Sequence, residues 1–118
     1  MDAYRRLVIQ HYIAGAVTTG QKLRWVAPFS GRVTDAHANA DTAPTGATLI
    51  VDVEVDGTTV FTTAASRPTI AVSTKAAVTG AVEAGKFDEG DVLSIDVDQI
   101  GSTVAGSDLT VTVTVVPE

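Results

Sequence analysis

The chain has 118 residues, of which 45% are apolar but only 5% aromatic, with no cysteine and a formal net charge of -6 at pH 7. That length holds one domain, residues 1–118, whose interior must be filled by Val, Ala, Leu and Ile. The acidic balance repels a phosphate backbone, so no nucleic acid is expected as a partner, and the missing cysteines exclude disulfides and thiolate metal sites.

Leu7 to Ile13 sets Leu7, Ile9, His11 and Ile13 on one side and Val8, Gln10 and Tyr12 on the other, which predicts a first strand over a competing short helix from Tyr4 to Ile13. Residues 1–20 are thus expected to form an N-terminal strand or arm available for assembly. Arg5, Arg6, Gln10 and His11 interrupt any signal-like apolar run, and no stretch approaches the roughly 20 apolar residues of a membrane span, so no membrane contact is expected. Lys22 to Ala27 alternates Lys22, Arg24 and Val26 against Leu23 and Trp25, and stops at Pro28. Arg32 to Ala40 follows a Pro28 to Gly31 turn and carries small residues suited to close packing.

The clearest period-two segment is Thr48 to Val55, with Leu49, Val51, Val53 and Val55 against Asp52 and Glu54. Asp56-Gly57 then predicts a type I′ hairpin into Thr58 to Thr63. Ser66-Arg67-Pro68 breaks the chain, Thr69 to Ser73 reads as a short strand, and Lys75 to Gly85 is ambiguous between a loop and a weak strand. Phe87 to Asp91 reads as a turn into Val92 to Val97, and Leu109 to Val116 is the last strand. About eight short strands at this spacing predict an all-β antiparallel β-sandwich, jelly-roll-like, with a short barrel as the alternative.

No catalytic or cofactor motif emerges. Asp52 to Gly57 outlines the start of an EF-hand loop, but the twelfth position is Thr63 where a bidentate Glu is required. Asp96 and Asp98 form a second acidic row; set beside Asp52 and Glu54 it would crowd like charges, so either the two strands are not adjacent in that register or a cation or basic partner intervenes, and separate solvated faces are favoured. His11 and His37 lack ligand spacing, and no nucleophile elbow occurs, so no metal, no cofactor and no enzymatic activity are expected. Tyr12, Trp25 and Phe29 are candidates for a sugar-stacking surface, with core or interface packing the plainer role for Trp25. Arg5, Arg6, Lys22, Arg24 and Arg32 concentrate basic charge in the first third, and with Tyr12 and Trp25 they are the candidate partner interface.

The succession Pro44-Thr45-Gly46, Leu49 to Val53, Asp56 to Phe61, Arg67 to Ile70, Gly90 to Ser102 and Gly106 to Val111 resembles small jelly-roll structural proteins of tailed bacteriophage virions. These serve as capsid decoration (cement) proteins, head fibres or tail-tip modules. The resemblance covers about residues 30 to 116. It implies a non-enzymatic virion protein, made in the host cytoplasm, that assembles as a homo-oligomer, a trimer in many such domains, and binds the major capsid protein or another virion protein. Attachment to the head exterior is the leading expectation. A tail-tip or fibre adhesion module, or a carbohydrate-binding one, is the alternative.

Overall fold

The computed structural model describes residues 5–118. In chain order it contains β1 (Leu7–Ala16), β2 (Gly20–Val26), β3 (Gly31–Thr42), β4 (Leu49–Val55), β5 (Thr58–Thr59), β6 (Thr69–Ile70), β7 (Ala77–Val78), β8 (Lys86–Phe87), β9 (Val92–Gln99) and β10 (Ser107–Pro117), with one 3-10 turn at Ala64–Ser66. One sheet runs β1-β10-β3-β8 and the other β2-β9-β4-β6-β7, with β5 also on β4. All neighbours are antiparallel.

Setting aside the two-residue strands β5 and β7, eight strands remain. The first pairs with the last (β1 with β10), the second with the seventh (β2 with β9), the third with the sixth (β3 with β8) and the fourth with the fifth (β4 with β6). A long antiparallel ribbon folded over itself produces this nesting, and it is the jelly-roll order. The fold class read from the sequence is the one observed.

Alternation explains why the segments make strands. Leu7, Ile9, His11 and Ile13 of β1 stand beside Val115, Val113, Val111 and Leu109 of β10, all on the inward face. This is a sheet pattern, and the helical alternative fails over the described part of its span; Met1 to Tyr4 lie outside the described residues. From the other sheet, Val51, Val53, Leu93, Ile95 and Val97 complete an interior in which each is at most 2% exposed. With so few aromatics, Ala36, Ala38 and Ala40 of β3 also line this core.

Strict alternation would put Val33 and Ala36 on opposite faces, yet both are buried. The register resolves this: Val33 stands opposite Val115 and Ala36 opposite Val113, so β3 spends three steps where β10 spends two. That is a β-bulge, which turns the parity of one strand without unpairing it. The Asp35 carboxylate accepts the Ala36 N–H (2.8 Å) at the bulge.

Three other expectations need correction. The strand expected to Thr63 ends at Thr59, because the chain turns into the 3-10 segment and buries Val60 and Phe61. The one expected to Ser73 ends at Ile70, and Ser73 adopts φ 63°. Phe87, read as part of a turn, is strand β8 and 2% exposed. It fits because Gly31 opposite has no Cβ; one would lie 3.1 Å from the Phe87 ring and 2.5 Å from the Val116 carbonyl. The Asp56-Gly57 hairpin forms as expected, with φ of 49° and 82°.

Ile95 lies at the centre of this interior, fully buried. Ile95→Ala should cost about 2–5 kcal/mol of folding stability, read as a lowered urea midpoint. Val8→Ala on the exposed face of β1 should change it by under about 0.5 kcal/mol.

Candidate functional site

The inward valines of β4 force Asp52 and Glu54 outward, and the inward Leu93, Ile95 and Val97 of β9 do the same for Ser94, Asp96 and Asp98. The two strands are neighbours, and Asp52 stands directly opposite Asp96. The two acidic rows therefore share one face of one sheet, contrary to the separate faces expected from sequence. A basic side chain intervenes. Arg67, carried over the strands by the turn after β5, donates from Nη1 to Asp98 Oδ2 (2.9 Å) and brings Nε to 3.6 Å from Asp52 Oδ1.

Asp52 is only 2% exposed, and its Oδ1 accepts the Thr59 hydroxyl (2.6 Å) and the Val53 N–H (2.9 Å). Glu54, which Arg67 does not reach, holds its proton more tightly than an ordinary carboxyl. A hydrogen bond with Asp96 pushes Glu54 up to about 7, with burial and the charges of Asp96, Asp52 and Asp98 acting in the same direction. Asp98 is also raised, chiefly by burial and by Asp52. Beside this row is an open recess of about 490 Å³ lined by Gln21, Arg24, Glu54, Asp56, Val92 and Ser94. It is polar and carries charges of both signs. Ser94 has no histidine near it, since His11 and His37 sit on the other sheet, where His37 meets Asp35 at 2.8 Å. Among the described residues no group of three or more His, Asp or Glu is arranged to hold a metal ion.

The candidate interface residues separate into different neighbourhoods. Arg24 lines the acidic recess on the outer face of the β2-bearing sheet. Lys22 turns back to the β1–β2 connection, donating to Thr18 Oγ1 (2.7 Å) and the Thr19 carbonyl (3.3 Å). Trp25 points inward and meets Phe29 and Phe87 edge-on at 5.8 and 5.9 Å. Tyr12 is exposed on the outer face of the other sheet, where its hydroxyl bonds the Asp108 carboxylate, which raises the phenol above its ordinary value. Tyr12 and Trp25 thus offer no common stacking platform.

Arg5, Arg6 and Arg32 do converge. Leu7 pairs with Val115, the next residue Val116 pairs with Arg32, and Arg32 pairs with Lys86. The positions just before β1 therefore fall in one row with Arg32 and Lys86 across an end of the β1-β10-β3-β8 sheet, with Glu118 3.7 Å from Arg32. Lys86 was missed because nothing local ties it to Arg32; only the β3–β8 pairing does. Arg67 was read as a chain break beside Pro68, although an arginine lying between two acidic rows in the sequence was a usable signal.

Comparison with known proteins finds no matching family model, curated protein or solved structure.

The acidic row makes a pH-dependent contribution of definite sign. Glu54 holds its proton more tightly folded than unfolded, so its stabilising contribution is complete below about pH 4.5 and is lost as pH rises to about 7. Glu54→Gln should remove this slope and raise the urea midpoint at pH 8 while changing it little at pH 4. Arg67→Met should act in the opposite direction, costing about 3–5 kcal/mol at pH 8 by leaving Asp52 buried without its cation, read as a lowered urea midpoint.

Proposed function

We propose that this chain is a non-enzymatic structural protein of a bacteriophage virion, most specifically a capsid decoration protein that attaches to the head exterior as a homo-oligomer. The reading is carried by one observation. The pairing of Arg32 with Lys86 sets basic charge across one end of the β1-bearing sheet. Arg32 and Lys86, with Arg5 and Arg6 before β1, make a basic row at one end of an otherwise acidic molecule, which suits contact with an acidic shell. The jelly-roll order is also the architecture that the resemblance implies. Adhesion through stacked aromatics has less support, since Trp25 is occupied by Phe29 and Phe87.

The test is co-sedimentation of the purified chain with undecorated capsids of its source phage. Saturable, stoichiometric binding that weakens with salt is expected, and Arg32→Glu with Lys86→Glu should reduce it at least tenfold while leaving the melting temperature within a few degrees. Absence of binding to those capsids would remove the decoration reading. Binding unchanged by the double reversal would keep decoration and discard the basic row as its contact.

A further inference from the structure

The outer face of strands β1, β10 and β3 is a regular grid. Tyr12 pairs with Thr110 and Thr110 with Asn39; in the adjoining row Gln10 pairs with Thr112 and Thr112 with His37. The register shifts of both pairings lie outside these rows, one after Ile13 and the other after Thr114. Buried Leu109, Val111 and Ala38 alternate with these residues and turn their side chains outward. A recess of about 260 Å³ opens on the grid, lined by Thr110, Thr112, His37 and Asn39, with Ala76 and Ala77 at the β3 edge. The bridge between Asn39 and Ala76, and the Ala40 N–H donated to the Lys75 carbonyl (2.8 Å), fix that wall.

The lining selects the ligand by its charge and its hydrogen bonding. No Lys, Arg, Asp or Glu lines this recess, unlike the one beside Glu54. Asp35 and Asp108, toward either end of the grid, are engaged, the first with His37 Nε2 (2.8 Å) and the second with the Gly15 N–H (2.8 Å) and the Tyr12 hydroxyl. Nothing here is placed to hold a sulfate, phosphate or ammonium group. The hydroxyl and amide side chains instead both donate and accept. Thr34, Thr59, Thr69 and Thr74 donate to protein oxygens, whereas among the described residues Thr110, Thr112, Asn39 and Gln10 make no side-chain hydrogen bond to protein. Beside them the Tyr12 ring, 56% exposed and tethered through its hydroxyl, offers an apolar surface. The two rows span about 10 Å across the strands and about 7 Å along them, too little for a stable protein interface, which takes about 800 Å² from each partner. We propose that this recess, with Tyr12 beside it, binds a neutral saccharide. Sugar hydroxyls exchange hydrogen bonds with Thr110, Thr112, Asn39 and His37 while one sugar ring packs on Tyr12. This goes beyond the particle attachment proposed above and does not depend on it.

The test is a nitrogen-15 NMR titration of the whole chain with three neutral oligosaccharides: maltohexaose, cellohexaose and N-acetylated chitohexaose. At least one should shift the His37, Asn39, Thr110 and Thr112 amides saturably in the millimolar range, and the anionic hexagalacturonate should not. Asn39→Ala with Thr112→Val should weaken that binding at least fivefold while the circular dichroism spectrum and melting temperature stay unchanged. Tyr12→Ala should weaken it at least threefold, and Tyr12→Phe, which keeps the ring, should retain it. Absence of saturable shifts with all three sugars, shifts centred elsewhere, or equal binding of hexagalacturonate would overturn the proposal. Saccharide binding by a chain that ignores capsids would sustain it while removing decoration, and capsid binding without saccharide shifts would do the reverse.

Discussion

Everything in this molecule leans on β10. It is the last strand in the chain, yet it lies between the first and the third, and its Leu109, Val111, Val113 and Val115 are all fully buried. Without it β1 has no partner strand among the described residues, and β3 keeps the two-residue β8 and a single bridge from Asn39 to Ala76. The N-terminal strand is therefore held by residues about a hundred positions away, so loop closure must precede much of the stabilisation. Such non-local pairing places the domain among the slower-folding topologies.

The same core settles an electrostatic conflict on the opposite sheet. Burying each of Val51, Val53, Ile95 and Val97 stabilises by roughly 1.5–3 kcal/mol, whereas like charges facing each other on a strand pair cost at most about 1 kcal/mol. The register is therefore the one that buries the valines, and Asp52 faces Asp96 as a consequence. Arg67 and a retained proton on Glu54 then reduce the repulsion. The acidic row is a by-product of the core, and Arg67 is its structural answer.

The molecule measures 46 × 23 × 22 Å, and its distribution of features along that length is uneven. Aromatic packing around Trp25 and the basic row with Arg32 and Lys86 belong to the Val33 and Phe87 end, while Asp41, Asp108 and the Lys22 turn occupy the other. The uncharged β1 edge runs between the two ends. The recess beside Glu54 is open, and the single tryptophan is internal.

Period-two alternation alone determined that this chain is all-β, because inward and outward faces are written residue by residue along each strand, whereas a sandwich and a short barrel share that pattern and the two-sheet pairing decided between them. The Asp56-Gly57 hairpin was equally local, requiring only two residues that tolerate positive φ. What only the tertiary structure decided was which strands lie side by side. The bulge that buries both Val33 and Ala36, the burial of Phe87 against Gly31, the meeting of Asp52 with Asp96 under Arg67, and the alignment of Arg32 with Lys86 all depend on register between distant segments. Alternation fixes the face on which a side chain lies but carries no information about its neighbour across the ladder, and the candidate surfaces are built from such neighbours.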